Sequence, residues 1–195
     1  MSPIRPDIVD VWIFRNREAR PSTAPSSAPS RSGAGQAAVL EGSASAATPG
    51  GDLEILLLRR SPGRILPGLW QCVSGRLEPG ETIPAGALRE LREETGIGPE
   101  QIAGFYDLDQ VNQFHEPSVG AVVTGVIFAV RIPPAVPPIL SYEHDAMRWV
   151  SPPEALELAV WPAYRESIHR IVENLMDPAR AIWFELDLTG QRARR

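Results

Sequence analysis

The stretch GRLEPGETIPAGALRELREETGI, residues 75–97, decides the fold of this chain and leads to its chemistry. Its second half is predicted to be a helix. Glu90, Glu93 and Glu94 then lie on one face, because steps of three and four residues return to the same side. Like charges at that spacing repel by about 0.2–0.5 kcal/mol per pair on a solvated helix. Either these glutamates form an ordinary solvated face, or a bound positive charge offsets their repulsion.

The ends of this helix are marked by residues with known capping roles. Thr82 is a suitable N-cap, Pro84 fits the first turn, and Gly96 fits the left-handed conformation that ends many helices. The side away from the glutamates is apolar and consists of Ala87, Leu88 and Leu91. We therefore expect an amphipathic helix that packs on a core and exposes its carboxylates.

Length and composition indicate one domain of ordinary size. The chain has 195 residues, of which 43% are hydrophobic, and this is enough for one core over residues 1–195. The formal net charge of -5 argues against a nucleic-acid partner, because such binding depends on clustered cations. A small anionic ligand is compatible with this charge if a metal mediates its binding.

The cysteine content and the apolar runs indicate in which cellular compartment the protein is expected. Cys72 is the single cysteine and cannot form an internal disulfide, so we expect it to be a small buried residue. The N-terminus lacks the pattern of a signal peptide, and no apolar run approaches the roughly 20 residues that span a membrane. We expect a soluble cytoplasmic protein without a membrane partner, as a monomer or a homodimer.

The order of predicted elements favours an α/β fold. Residues 8–15 and 53–60 are predicted strands, and the second has the apolar character of a strand buried on both faces. Between them, residues 19–51 are rich in Ser, Ala, Pro and Gly, which predicts a disordered insertion. The further predicted strands are 69–75, 102–114, 119–132, 147–150 and 181–188. Two further helices are predicted, from Pro152 or Pro153 to about Leu158 and from Pro162 to about Met176. A mixed α/β layering, with helices covering a sheet, follows from this order.

The spacing of fixed residues within the opening stretch resembles the Nudix box, the signature of the Nudix hydrolase family. All nine fixed positions are filled, by Gly75, Glu81, Arg89, Glu90, Leu91, Glu93, Glu94, Gly96 and Ile97. The resemblance implies an α/β/α sandwich with a mixed β-sheet, and an enzyme that hydrolyses a phosphoanhydride with Mg²⁺ or with Mn²⁺ in its place. A solvated face has no need of the surrounding glycines and of Glu81 at these distances, so the resemblance favours the metal-binding interpretation.

The resemblance also implies roles for the residues of the box. Glu90, Glu93 and Glu94 would supply metal ligands together with the carbonyl of Gly75, and one of the glutamates, such as Glu93, could instead be the general base. Mg²⁺ prefers oxygen ligands and is commonly shared between a few carboxylates and substrate phosphates.

Two charged residues of the box have roles other than metal binding. Arg89 would orient the carboxylates, although an ordinary surface ion pair with Glu93 is equally compatible with the sequence. Glu81 is expected to steady the loop or Arg89 rather than to bind metal.

The flanking segments resemble the branch of the family that includes dihydroneopterin triphosphate pyrophosphohydrolase. The segment LSYEHDAMRWVSPPEAL, residues 140–156, contains the matching Glu-His loop. Glu143 is therefore a candidate metal ligand or general base, with an exposed loop carboxylate as the alternative. His144 is expected to be structural, since isolated histidines usually form local hydrogen bonds.

Contacts to the substrate are expected from cations and aromatic rings near the predicted strands. Arg59 or Arg60, or Arg64 in the loop that follows, could bind phosphates, with simple solvation as the alternative. Trp70 and Tyr106 are candidates to stack on a base or pterin, and Phe114 and His115 are further candidates. Packing in the core or in a loop is the more common role for each of these four side chains.

These observations lead to one main functional hypothesis and two alternatives. The chain would hydrolyse a nucleoside or dihydroneopterin triphosphate to a monophosphate and pyrophosphate. The same box with another pocket would instead serve ADP-ribose, a dinucleoside polyphosphate or an oxidised dNTP. A Nudix-like sensor that binds a nucleotide without cleaving it is the alternative from a different class, and the complete box argues against it.

Overall fold

The computed structural model describes residues 7–17, 52–117 and 120–192. The insertion predicted at 19–51 lies outside the described residues. No helix within these three ranges is long and apolar enough to cross a membrane.

The described chain forms eight strands and four α-helices. The strands are β1 Ile8–Asn16, β2 Leu53–Arg60, β3 Trp70–Gln71, β4 Val73–Arg76, β5 Gly104–Glu116, β6 Ala121–Arg131, β7 His144–Val150 and β8 Glu185–Leu186. The helices are α1 Ile83–Thr95, α2 Pro152–Leu158, α3 Pro162–Arg170 and α4 Pro178–Ala181. A short 3₁₀ turn at Pro99–Gln101 follows α1, and a π-helical turn at Ile171–Leu175 continues α3.

The strands form one mixed sheet in the order β3-β2-β1-β6-β5-β8. Strand β1 runs parallel to β6 and antiparallel to its other neighbours, with its first half against β4 and its second half against β2. Strand β7 pairs with the other edge of β2, so that His144 lies opposite Arg60. The predicted mixed sheet is confirmed.

Helices cover both faces of this sheet, which confirms the predicted α/β/α sandwich. Alternation along β1 sends Val9, Val11 and Ile13 to the face covered by α1, and Trp12 and Phe14 to the face covered by α2 and α3. Strand β2 contributes apolar side chains to both faces, and its first six residues are all buried. This explains why the sequence of β2 is almost continuously apolar.

Helix α1 follows its sequence signals closely. Thr82 is the N-cap and its side chain accepts a hydrogen bond from the amide of Ala85, while Gly96 ends the helix with a φ of 68°. Ala87 and Leu91 are fully buried against the sheet, as predicted. The caps and the apolar stripe therefore fix α1 on the sheet. The expectation that α1 exposes all its carboxylates is corrected, because Glu93 is exposed but Glu94 is buried.

Several element boundaries differ from the predictions because pairing partners decide where a strand begins. The strand predicted at 69–75 is interrupted at Cys72, where the chain passes from β2 to β1 as its neighbour. Strand β7 begins three residues before the predicted 147, and the strand predicted at 181–188 is reduced to Glu185–Leu186 because only these residues pair with β5. Helix α3 passes into the π-helical turn before Met176.

The left-handed conformation at Gly96 gives a test of the helix end. Gly96→Ala is expected to lower the free energy of unfolding by about 1 kcal/mol, because a Cβ disfavours positive φ. Gly96→Asn should recover part of this loss, since Asn tolerates the left-handed region better. Urea unfolding followed by circular dichroism measures both variants, and equal stabilities for Ala and Asn would contradict the explanation.

Candidate active site

The site begins where α1 crosses β4, and Gly75 sets how closely they approach. A Cβ added at Gly75 would lie 1.8 Å from Cδ of Glu90. The Glu90 carboxylate therefore occupies the space that any other residue at position 75 would fill. Any other residue at position 75 would have to displace this carboxylate, which is held by a hydrogen bond from Arg89.

Arg89 joins three carboxylates of the box. Its Nε and Nη2 donate to the two oxygens of Glu81 at 2.9 and 3.0 Å, and its Nη1 donates to Glu90 at 2.8 Å and to Glu93 at 3.1 Å. Nη2 also donates to the carbonyl of Arg76 at 2.8 Å. Arg89 thus links the loop after β4 to the exposed face of α1, and the alternative of an isolated Arg89–Glu93 surface pair is too simple.

The charges in this network stabilise one another. Hydrogen bonding from Arg89 holds the pKa of Glu81 below its usual range, and the bonds from Glu81 and Glu90 raise the pKa of Arg89. Glu81 also accepts from the amide of Glu78 at 3.0 Å. Glu81 therefore steadies both the loop and Arg89, in agreement with its expected role.

Glu94 lies deeper than the other glutamates and is only 4% exposed. Burial, followed by the negative charges of Glu90 and Glu143, raises its pKa to about 8. Its Oε2 lies 3.8 Å from Nδ1 of His144, and among the described residues neither atom has a hydrogen-bond partner. A buried carboxylate oxygen without a partner is costly unless a cation or proton completes it.

These residues fit a divalent cation as a partial site. Glu90, Glu93 and Glu94 present carboxylate oxygens, and the uncompensated oxygen of Glu94 is suited to a cation. Within the described residues, no three His, Cys, Asp or Glu side chains cluster closely enough to hold an ion alone. Waters and substrate phosphates would therefore complete the coordination, as is usual for Mg²⁺.

Glu143 is brought towards the box by the pairing of β7 with β2. It immediately precedes β7, and its negative charge raises the pKa of both Glu90 and Glu94. Next to it, His144 is 4% exposed and its pKa is lowered, first by burial and then by the charge of Arg60. The amide of Ser141 donates to the carbonyl of Glu94 at 3.1 Å, so the segment that carries Glu143 lies against the end of α1.

The candidate phosphate-binding arginines point in different directions. Arg59 pairs with Asp145 at 2.7 Å, whereas Arg60 donates to the carbonyl of Ile65 at 2.6 Å and to Gln71 at 3.4 Å. The charge of Arg60 also lowers the pKa of Glu94. Of these two arginines, Arg60 therefore has the closer electrostatic link to the glutamates.

The aromatic candidates differ in accessibility. Trp70 is half-buried, and the guanidinium carbons of Arg59 and Arg148 each lie 5.8 Å from its ring centroid. Tyr106 is only 2% exposed and packs in the core with its ring centroid 5.9 Å from that of Phe14. The prediction of Tyr106 as a substrate contact is therefore corrected, because the core of the sheet covers its ring. Phe114 is 43% exposed on the β5–β6 hairpin.

Sequence reasoning missed a buried carboxylate on the other side of the sheet. Asp10 lies on β1 opposite Ser74, and burial raises its pKa to about 6 while its hydrogen bond with Ser74 acts in the opposite direction. Cys72 and Tyr164 are neighbours, and burial raises the pKa of the Cys72 thiol, which confirms the expected buried cysteine. The missed signal was a single acidic residue within an apolar strand.

The comparison with known families decides the assignment. Residues 42–171 match the family model of the NUDIX domain. The chain belongs to the Nudix family. It is therefore a Nudix hydrolase, and residues 75–97 form its Nudix box.

Individual relatives are consistent with this assignment. The chain is 34% identical to a CTP pyrophosphohydrolase of Escherichia coli strain K12 over 57% of this chain and 77% of the relative. It is 30% identical to the dihydroneopterin triphosphate diphosphatase of the same organism, over 62% of this chain and 83% of that protein. These two Nudix relatives are named for the hydrolysis of triphosphates.

Two further similar proteins give no information about the activity of this chain. An octanoyltransferase of Myxococcus xanthus is 40% identical, but the match covers 62% of this chain and only 33% of that protein, so its name does not bear on the chemistry of this chain. A NUDIX hydrolase structure from Listeria monocytogenes superposes with a TM-score of 0.61 at 23% identity, covering 88% of this chain and 94% of the other. At this identity the superposition establishes the fold alone.

The close approach at Gly75 gives a test of the site. Gly75→Ala should displace the Glu90 carboxylate and lower hydrolysis about tenfold or more, because a shifted ligand weakens the site without removing it. Activity and circular dichroism are measured together. Gly98→Ala is the matched control, because its Cβ would lie 2.5 Å from the Glu100 carboxylate, which is not part of the box. Equal losses in the two variants would contradict the role of Gly75.

The raised pKa of Glu94 predicts how stability depends on pH without metal. In the unfolded chain the carboxyl releases its proton near pH 4.5, whereas in the folded protein it does so near pH 8. The free energy of unfolding should therefore fall as pH rises across this window. Glu94→Gln should remove the part of this decline that Glu94 causes, whereas the part that Asp10 causes below about pH 6 remains. The variant should be more stable than wild type at pH 8, by on the order of a few kcal/mol.

Chemical denaturation in the presence of a chelator measures this pH effect. Glu157→Gln, on the exposed side of α2, is the matched control and should keep the decline of the wild-type protein. A stability difference between wild type and Glu94→Gln that does not change with pH would rule out this account.

Proposed function

We propose that this Nudix hydrolase is a Mg²⁺-dependent pyrophosphohydrolase that cleaves a nucleoside or dihydroneopterin triphosphate to a monophosphate and pyrophosphate. The observation that supports the proposal is that Arg89 bonds to Glu90 and Glu93 on the same helix that carries Glu94, one of whose buried oxygens is uncompensated. The two Escherichia coli relatives named for triphosphate hydrolysis support the substrate class.

Metal binding is assigned to the carboxylates of the box. Glu90, Glu93 and Glu94 are proposed ligands, together with the Gly75 carbonyl and Glu143, and Mg²⁺ is the proposed ion, with Mn²⁺ as a substitute. When bound, a divalent cation would neutralise these carboxylates, screen the polyphosphate and lower the pKa of an attacking water.

The protein residues then supply orientation and proton transfer. Arg89 keeps Glu90 and Glu93 in place through bonds of 2.8 and 3.1 Å, so that their geometry does not depend on the ion alone. Glu143 is the proposed general base that accepts the proton of the attacking water on a carboxylate oxygen. Glu93 is the alternative base, although its carboxylate already accepts a hydrogen bond from Arg89.

Substrate contacts are proposed on the strand side of the site. Arg60, and Arg59 after release from Asp145, would bind phosphate oxygens, since guanidinium groups recognise them bidentately. Trp70, which already lies near two arginines, would stack on the base or pterin. The partner proposed for these contacts is a small molecule, a nucleotide or pterin triphosphate.

A substrate panel tests this proposal. Canonical and oxidised dNTPs, CTP, dihydroneopterin triphosphate, ADP-ribose and diadenosine polyphosphates are incubated with Mg²⁺, Mn²⁺ or chelator in ¹⁸O-labelled water. Release of pyrophosphate and a monophosphate from a triphosphate, only with metal, is the expected result. Turnover of ADP-ribose or a dinucleoside polyphosphate alone would overturn the proposed substrate, and the labelled product identifies the phosphorus attacked.

Glu94→Gln separates a catalytic role from a structural one. We expect loss of hydrolysis by about a thousandfold or more at saturating Mg²⁺, with a metal-free protein that is no less stable than wild type. Steady-state kinetics and thermal unfolding measure the two properties. Near-normal rates would refute the assignment of Glu94 as a metal ligand.

A further inference from the structure

The loop at residues 61–68, between β2 and β3, is folded back on itself. The amide of Gly68 donates to the carbonyl of Arg60 at 2.9 Å, and the amide of Arg64 donates to the carbonyl of Ser61 at 3.3 Å. The side chain of Arg60 bonds to the carbonyl of Ile65 at 2.6 Å. Arg64 therefore extends from a backbone held by local hydrogen bonds rather than from an open loop.

This loop is attached to the segment that carries Glu143. The amide of Ser61 donates to the carbonyl of Glu143 at 2.9 Å, and the hydroxyl of Ser61 donates to the carbonyl of Tyr142 at 3.1 Å. The two segments are far apart in sequence, and the β2–β7 pairing ends at this point. The backbone beside Glu143 is thus fixed to the loop that carries Arg64.

The side chain of Arg64 contacts both residues of this segment. Its Nη2 lies 3.3 Å from Oε1 of Glu143, and its guanidinium carbon lies 4.6 Å from the ring centroid of Tyr142. The ring of Tyr142 is 81% exposed, so burial in a core does not explain its position. Tyr142 instead provides a surface against which the flat guanidinium can lie while it reaches Glu143.

The need for such a contact follows from charge. The segment around Glu143 contacts Glu94, because the amide of Ser141 donates to the carbonyl of Glu94 at 3.1 Å and Nδ1 of His144 lies 3.8 Å from Oε2 of Glu94. A carboxylate in this segment therefore faces the like charges of the box, which repel it. Without a cation on its other side, the Glu143 carboxylate would turn towards solvent. The neighbouring arginines have other partners, because Arg59 pairs with Asp145 and Arg60 bonds to the loop and to Gln71.

We propose that Arg64 is a positioning residue that holds the Glu143 carboxylate at the metal site. This inference rests on the proposed role of Glu143 as a metal ligand or general base. The ion pair is partly solvated, with 32% and 34% of the two side chains exposed, so it contributes little to stability. Its effect lies in orientation, which matters more to the site than to folding.

The test combines variants at both positions. Arg64→Ala, Arg64→Lys, Glu143→Gln and the Arg64→Ala/Glu143→Gln double variant are compared with wild type. Arg180→Ala is the control, because Arg180 is also an exposed arginine in an ion pair, with Asp177 at 3.6 Å in a different part of the chain. The affinity for Mn²⁺ is measured by electron paramagnetic resonance without substrate, and kcat and KM are measured with CTP and with dihydroneopterin triphosphate.

The proposal predicts that loss of Arg64 weakens metal binding and turnover without changing KM or stability. Arg64→Ala should lower the Mn²⁺ affinity and kcat by about tenfold each, with KM for the triphosphate and the unfolding temperature nearly unchanged. Arg64→Lys should restore most of the Mn²⁺ affinity and most of kcat, because lysine keeps the positive charge. In the Glu143→Gln background, Arg64→Ala should have no further effect, since the residue acts through Glu143.

Three outcomes would overturn the inference or its basis separately. Wild-type behaviour of Arg64→Ala, while Glu143→Gln is impaired, would refute the role of Arg64 alone. A rise in KM in both backgrounds would make Arg64 a direct phosphate contact. Wild-type Mn²⁺ affinity and kcat in Glu143→Gln would refute the proposed role of Glu143 itself, whatever Arg64→Ala does.

Discussion

Arg89 supplies the positive charge that offsets the repulsion among the glutamates of α1. Glutamates three and four residues apart on one helical face repel, and each such pair costs a few tenths of a kcal/mol when solvated. Arg89 offsets this by donating to Glu90 and Glu93, and it is itself fixed by both oxygens of Glu81 and by a backbone carbonyl. Without it, the carboxylates would spread into solvent and the loop after β4 would lose its attachment to α1.

The buried part of the site, around Glu94, differs from the part that Arg89 neutralises. Glu94 has no arginine partner among the described residues; its pKa is raised to about 8, and one of its oxygens is buried without a hydrogen bond. Such an arrangement lowers stability in the absence of a cation, which is the expected behaviour of a functional site rather than of a core. Gly75 belongs to the same arrangement, because the missing side chain leaves room for Glu90. The bonds of Arg89 thus stabilise the fold, whereas the neighbouring Glu94 lowers stability when no cation is bound.

The sheet explains how the box is completed from outside. Strand β2 pairs with β1, β3 and β7, so its last residues meet the segment before β7 on one side and the loop before β3 on the other. Glu143, Arg60 and Arg64 converge there, although they come from two distant segments. The box glutamates lie on one rigid helix, whereas this second half of the site depends on strand pairing and on loop contacts.

Much of the site was predictable because it is local. Capping by Thr82 and Gly96, the apolar stripe of α1 and the carboxylate face all depend on residues a few positions apart. Strand β2 was predictable for a similar reason, since a continuous apolar run fits burial on both faces.

The sequence by itself therefore determined the helix, the three glutamates on one of its faces and the family. Only the tertiary structure decided that Tyr106 lies in the core, that Asp10 is a buried carboxylate, and that Glu143 pairs with Arg64. The physical reason is that these facts depend on which strands pair and which face of the sheet a side chain joins. Long-range pairing joins residues far apart in the chain, and no short stretch of sequence records its partner.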